Sequence, residues 1–291
     1  MKKILITGAG GFLGRRAASW LAQSDSVVAL THKDLDITNP EAVRRILLAE
    51  RPAIVLHCAA VSGVDVCEKN PELGQRINVD GTLNVVRSCR EIGAKCIVCS
   101  SDQVYMGSNP SEPHSESEVL TPANIYGRGK LKMEQQGLAI DPDSVYLRLT
   151  WMFDTKTLDP AEHGDFLRTV LAKLAAGQPI ACAVRDHRGL TDVNEVVANL
   201  PKVFTLPGGV YNYGSPNEKS VYTLLRDVLD ALAYPADLQP LEYAYRNIRI
   251  ATDKIESYGI HFRTSEQALR ESLRQVLPAL DAAAPEQGAN K

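Results

Sequence analysis

Tyr126 and Lys130 lie four residues apart in "IYGRGK", and Ser101 sits just past the apolar run "KCIVCS". Residues four apart share one face of a helix, so the phenol and the ammonium are expected side by side. A free tyrosine titrates near ~10, and a neighbouring cation favours the phenolate and lowers that value. Such a group can give a proton to a carbonyl oxygen, with Ser101 as a second donor. By itself Y-x-x-x-K is common and mostly marks a surface helix; a glycine turn upstream gives it weight. Gly127 and Gly129 each weaken this helix by roughly 1 kcal/mol against alanine, which fits close approach of a cofactor or substrate.

The glycine turn is in the opening, "MKKILITGAGGFLGRRAASWL". A secretory leader needs an unbroken apolar core of about 7–15 residues. Here only Ile4, Leu5 and Ile6 are contiguous before Thr7, and glycines then break the run. The stretch reads instead as a strand from Lys3 to Thr7, a tight turn, and a helix from Phe12 to Gln23. Gly8, Gly11 and Gly14 form G-x-x-G-x-x-G between them, letting the backbone turn and approach a pyrophosphate. The helix start at Phe12 and Leu13 then presents free N–H groups to the phosphates. About 20 residues past such glycines an acid usually receives a free ribose 2′-hydroxyl. This chain offers Thr31, His32 and Lys33 there, and Arg15 follows the last glycine. Bases without the acid favour a 2′-phosphate, hence NADP with NADPH preferred, and add Arg15 and His32 to the cofactor set. NAD stays open.

These residues need a scaffold. Short β-rich runs ("KILIT", "SVVALT", "AIVLHCAA", "AKCIVCSS", "SVYLRLT") alternate with helical patterns such as "NPEAVRRILLAE" and "NVDGTLNVVRSCREIG". That alternation implies βαβ units and an α/β fold, a doubly wound parallel sheet (Rossmann) with its ligand at the carboxyl edge. The expected division is a dinucleotide-binding domain over 1–150, its sheet completed by part of 190–230. A smaller substrate lobe takes 151–189 and 231–280, interleaved with it, and 281–291 form a flexible tail.

A formal net charge of −3 gives no general attraction to nucleic acid or anionic lipid, and no apolar run is long enough to span a membrane. The six cysteines sit in apolar segments without the density of a disulfide scaffold. Cys96 and Cys99 form a C-x-x-C, but on a strand they face opposite ways. Buried, reduced thiols and a cytoplasmic location are the expectation. The histidines show no metal spacing, so no metal is expected. There is no G-x-S-x-G elbow and no P-loop.

The ordered set "TGAGGFLG", "LDITNPEAV", "RPAIVLHCAA", "INVDGTLNVV", "SSDQVYMG", "TPANIYGRGKLKMEQ" and "LRLTWMF" spans roughly residues 3–153. It resembles the extended short-chain dehydrogenase/reductase superfamily and, within it, the dTDP-4-dehydrorhamnose reductase family. The resemblance implies Ser101, Tyr126 and Lys130 as a catalytic triad, with Asn78 in the supporting helix. It implies Asp36 and Ile37 beside the adenine, and Ala59 and Ala60 along the cofactor. On the substrate side it implies Ser62, Asp102, Gln103 and Trp151. The implied activity is NADP(H)-dependent reduction of the 4-keto group of a nucleotide-linked deoxysugar, first of all dTDP-4-dehydrorhamnose to dTDP-rhamnose, with a nucleotide-diphospho-sugar as partner and a homodimer left open.

The second half departs from that pattern. The family's substrate loop commonly reads like D-Q-x-G-x-P-T-Y-V, whereas this chain has "DHRGLTDV", without the proline and one residue shorter. An R-P-x-x-S/L-x-L-D-T element is replaced by "RNIRIATDK", where Arg246 and Arg249 could still hold a diphosphate through paired hydrogen bonds. The alternatives are therefore a sugar-nucleotide epimerase or dehydratase, and a non-catalytic subunit like the β subunit of methionine adenosyltransferase.

Overall fold

A computed structural model of the chain describes residues 1–108, 110–155 and 165–283. Its first elements are β1 (Lys3–Thr7), α1 (Phe12–Leu21), β2 (Ser26–Leu30), α2 (Pro40–Glu50) and β3 (Ile54–His57). β1 is buried because both its faces are covered. Ile4 and Ile6 pack with Ala17, Leu21 and Val197, while Leu5 packs with Val43, Leu47 and Val86. α2 begins where the Asn39 side chain accepts the Ala42 amide at 3.0 Å, with Pro40 in the first turn where its missing N–H is harmless.

α3 (Val64–Lys69) and α4 (Pro71–Gly74) lead into a π-helical stretch, Gln75–Gly81, that continues as α5 (Thr82–Ile92). Periodicity alone reads one regular helix here. The wider turn is a local expansion of the kind found at functional sites, and it carries Asn78, whose amide grips both polar groups of the Val61 backbone at 2.8 and 2.9 Å. The loop after β3 is thereby pinned.

β4 (Lys95–Ser101), a 3₁₀ turn at Asp102–Tyr105, α6 (Ile125–Ile140), β5 (Val145–Leu149) and β6 (Trp151–Phe153) follow. Then come α7 (Phe166–Ala175), β7 (Ile180–Ala183), β8 (Asp186–Arg188), β9 (Leu190–Asp192), α8 (Val193–Val203) and β10 (Gly209–Tyr213). The chain closes with α9 (Val221–Ala231), β11 (Leu238–Leu241), β12 (Arg246–Ile248), α10 (Asp253–Glu256) and α11 (Ser265–Ala283). Residues 281–283 are thus helical, and the rest of the expected tail lies outside the described residues.

The central sheet has six strands in the order β10-β5-β4-β3-β1-β2, every pair parallel. Helices cover both faces, so the fold is a doubly wound α/β sheet. β10 joins from far down the chain, pairing Gly209 with Val145. The chain runs outward from β1 to β2 and then returns to β3 on the other side of β1. Such a switch point opens a crevice at the carboxyl ends of β1 and β3. Beside the sheet lie the short pairs β11·β7, β12·β8 and β6·β9, over a separate apolar cluster that includes Phe153, Leu167, Leu224 and Leu269.

Candidate active site

At the switch point lies a cavity of about 760 Å³. Its floor at one end is the glycine turn. Gly8 has φ +68°, and a Cβ on it would stand 2.6 Å from the Ala59 amide nitrogen. A Cβ on Gly14 would stand 2.3 Å from the Gly8 carbonyl oxygen. The turn therefore needs glycine to bring β1, the loop after β3 and α1 together. No side chain caps the start of α1 at Gly11, which leaves its first N–H groups and partial positive charge for an anion.

The other side is built by β4 and α6. Asn124 caps α6 by accepting the Gly127 amide at 2.6 Å and donates to the Gln103 side chain at 3.0 Å, so the helix start is tied to the 3₁₀ turn. A Cβ on Gly127 would stand 2.2 Å from the Gln103 carbonyl oxygen, whereas one on Gly129 meets nothing nearer than a Val79 methyl at 3.7 Å. Gly127 thus serves the seating of α6 on that turn, not the approach of a ligand.

Ser101, Tyr126 and Lys130 all line the cavity. Spacing alone predicts that Lys130 depresses the Tyr126 phenol, and here the structure differs. The Lys130 ammonium donates to the Cys99 carbonyl at 2.7 Å and lies 5.6 Å from the centre of the Tyr126 ring. Burial dominates and pushes the phenol above its ordinary pKa, opposed by a hydrogen bond with Ser101. Burial also lowers the Lys130 pKa. Tyr126 is a phenol that keeps its proton at neutral pH.

Asp102 is the unusual acid of the cavity. It is 4 % exposed, its Oδ1 accepts from the Ser101 hydroxyl at 3.2 Å, and its Oδ2 has no protein partner among the described residues. Burial raises its pKa to about 6, against the opposing pull of the Arg188 guanidinium. Arg188 carries no signal in the sequence beyond being the cation inside the departing segment "DHRGLTDV". It lines the cavity, lies 4.7 Å over the Trp151 ring and donates to Asp186 at 3.2 Å. Arg246 donates to the same carboxylate, at 2.8 Å through its Nε and also through a terminal nitrogen. β12 pairs with β8, Arg246 opposite Asp186, so the two departing segments lie together. One buried carboxylate orients two guanidinium groups on the cavity wall.

Gly11, Phe12, Leu13, Ala60, Ser62, Gln103 and Trp151 also face the cavity. Arg249 does not. Its guanidinium donates to the Asn247 side chain, the Glu218 carboxylate and the Ser111 carbonyl, bracing the framework away from the cavity. Ile37 packs its side chain in the core beneath. Asp36 is exposed, and its carboxylate accepts from the Thr38 amide and hydroxyl at 2.9 and 2.8 Å. His32 and Arg15 are exposed beyond the cavity wall. The acid that follows β2, Asp34, folds back onto Thr31 at 2.6 and 2.8 Å. Asn78 acts through Val61, as described, and Ala59 abuts Gly8.

Below the site His57 joins three elements. Thr82 gives its hydroxyl hydrogen to the Asn78 carbonyl at 2.8 Å, so it must accept from His57 Nε2 at 3.0 Å. His57 Nδ1 then accepts from Thr7 at 2.7 Å. Burial keeps this imidazole neutral, its pKa lowered to about 3.

Among the described residues no His, Cys, Asp and Glu cluster could hold a metal ion, and no helix is long and apolar enough to cross a membrane.

The chain is 35% identical over 211 residues to dTDP-4-dehydrorhamnose reductase of Mycolicibacterium smegmatis, covering 72% of this chain and 62% of that protein. It is 30% identical to the spore coat polysaccharide biosynthesis protein SpsK of Bacillus subtilis, covering 97% of this chain and 100% of the other. Its fold matches the crystal structure of dTDP-4-dehydrorhamnose reductase from Bacillus anthracis in complex with NADP, with a TM-score of 0.83 at 23% identity over 94% of this chain and 98% of that one. The RmlD substrate binding domain family model matches residues 1–277, and the chain belongs to that family.

Proposed function

We propose that this protein is an NADPH-dependent reductase of the 4-keto group of a nucleotide-linked deoxysugar, with dTDP-4-dehydrorhamnose as the best-supported substrate. The observation that carries the reading is convergence. Ser101, Tyr126 and Lys130 face one cavity with an uncapped helix start and a glycine turn packed too tightly to admit a side chain at Gly8 or Gly14. Gly8, Gly11, Gly14 and the start of α1 fit a pyrophosphate, and Arg15 on α1 with His32 and Lys33 past β2 supplies cations for a 2′-phosphate. NADPH, when bound, supplies a hydride.

The chain's own part is proton supply and orientation. Tyr126, kept protonated by burial, gives its proton to the carbonyl oxygen of the sugar. Ser101 turns its hydroxyl hydrogen from Asp102 to the same oxygen and holds it in place. Lys130, positioned by the Cys99 carbonyl, orients the cofactor's ribose. Arg246 and Arg188, steered by Asp186, face the diphosphate side, and Asp102 accepts from a sugar hydroxyl.

This reading places the dinucleotide on residues 1–150 with β10, and the sugar nucleotide against 151–189 and 231–280. The six cysteines are all free, which fits a reducing, cytoplasmic setting.

The test is loss of NADPH absorbance with dTDP-4-dehydrorhamnose, wild type against Tyr126→Phe. We expect turnover to fall about 10²–10⁴-fold in the variant while NADPH affinity stays within a few-fold. Equal turnover in the two proteins refutes the assignment of Tyr126. Absence of turnover in wild-type protein that binds NADPH refutes the substrate.

A further inference from the structure

Cys58 and Cys99 are separated by 41 positions in the chain, yet their sulfurs stand 3.6 Å apart. The sheet makes the pair: His57 is in register with Val98, so the next residues along β3 and β4 are neighbours on adjacent strands, about 4.7–4.9 Å apart. That spacing falls within the Cα separations of about 4.4–6.8 Å that a disulfide bridges. Both residues are half-buried and both line the cavity wall. Cys89 and Cys96 also interact, but they are fully buried in the opposite core.

We infer that Cys58 and Cys99 are an oxidisable dithiol, a modification site at which a hydroperoxide forms a disulfide and weakens dinucleotide binding. The inference goes beyond the proposed function and uses it only for the second readout. Cys99 is the first sulfur to react. Its thiol is pulled below the usual value by the hydrogen bond from Cys58 and by the Lys130 ammonium, while Cys58 is raised. The Cys99 thiolate attacks one peroxide oxygen, the O–O bond breaks, and the other oxygen leaves as hydroxide or alkoxide and takes up a proton. Cys58 then loses its proton and attacks the sulfenic sulfur, and the S–O bond breaks with release of water. The two thiols supply the two electrons that reduce the peroxide, so no other reductant is required.

The coupling to binding is structural. A disulfide draws the sulfurs about 1.5 Å closer. Cys58 immediately precedes Ala59, which abuts Gly8 of the turn. Cys99 bears the carbonyl that positions Lys130. The bridge therefore pulls on the glycine turn and on the lysine together.

The test treats the full chain with hydrogen peroxide, maps linkages by mass spectrometry of unreduced peptides, and measures NADPH affinity before oxidation, after it, and after dithiothreitol. We expect a Cys58–Cys99 linkage with NADPH affinity reduced about 5- to 150-fold, the usual range for coupled sites, and restored by the thiol. Cys58→Ser and Cys99→Ser should each abolish the linkage and keep their own NADPH affinity through oxidation. A linkage confined to Cys89 and Cys96, or sulfinic acid at Cys99 without linkage, overturns the inference. So does a Cys58–Cys99 bridge that leaves affinity unchanged. If reduced wild-type protein fails to bind NADPH, the proposed function falls, while the linkage map still decides the dithiol.

Discussion

Arg148 on β5 grips Glu134 on α6 in a two-pronged pair, 2.7 Å at its shortest, with both side chains almost wholly buried. Ser100 donates to the same carboxylate at 2.5 Å, and Arg148 also donates to the Tyr105 hydroxyl at 2.8 Å. Glu134 lies one turn beyond Lys130 and two beyond Tyr126. The pair is the rivet that fixes the helix carrying both residues to the strand behind them.

Removing one partner leaves the other charge buried and unpaired, which costs about 3–5 kcal/mol, whereas replacing both with apolar groups of similar size costs far less. We expect Glu134→Ala or Arg148→Ala to lose that amount in urea unfolding, and Glu134→Met with Arg148→Met to recover most of it. Equal losses in the single and double variants would show that the pair contributes through packing alone.

The two sides of the site differ in how much the sequence discloses. β1, the glycine turn and the Tyr126/Lys130 face are encoded within a few residues of one another, by spacing and periodicity, so they can be read locally. Arg188 and Arg249 each stand three residues after another arginine, Arg185 and Arg246, yet one faces the cavity and the other braces the framework. That choice is set by the pairing of β12 with β8 and by a contact from Arg249 to Ser111, 138 positions away in the chain. The effect of Lys130 on Tyr126 was likewise out of local reach. Helical spacing puts the two side chains on one face, but burial by the surrounding lobes decides the phenol's proton.

Arg188 provides a direct check on the substrate side. It stacks on Trp151 and is oriented by Asp186 while facing the cavity, so truncation should weaken the sugar nucleotide and spare the cofactor. Hydrogen bonds to a charged group contribute about 1.5–3 kcal/mol, so Arg188→Ala should raise the substrate KM about 10- to 150-fold, with NADPH affinity unchanged. Arg188→Lys should recover little, because the flat stacked fork is lost. A variant with wild-type KM would remove Arg188 from the substrate site.

His57 makes stability depend on acid. Its pKa is lowered from 6.5 to about 3 by burial, so the unfolded chain binds a proton that the folded chain refuses between those values. The folded state is therefore at full advantage above pH ~6.5 and loses about 1.4 kcal/mol per unit as pH falls toward 3. His57→Gln should flatten this part of the stability profile while lowering its plateau. An unchanged slope between pH 6 and 4 would mean that other groups set the acid limb.

Asp102 couples the sugar site to pH with the opposite sign. Burial lifts its carboxyl from 3.8 to about 6, so the folded chain holds a proton that the unfolded chain has already released. Stability then falls as pH rises from about 4 to 6, and the ionised, half-unpartnered carboxylate persists above that at a cost of about 3 kcal/mol. Asp102→Asn should accordingly be more stable than wild type at pH 7 and no more stable below pH 4. If that carboxylate accepts from a sugar hydroxyl, the wild-type kcat/KM should drop tenfold per unit below pH ~6. The variant should be weaker but flat over the same range. The combination of gained stability and lost acid limb identifies a group kept strained for its ligand; a variant that loses stability at pH 7, or retains the limb, shows that Asp102 is an ordinary buried acid.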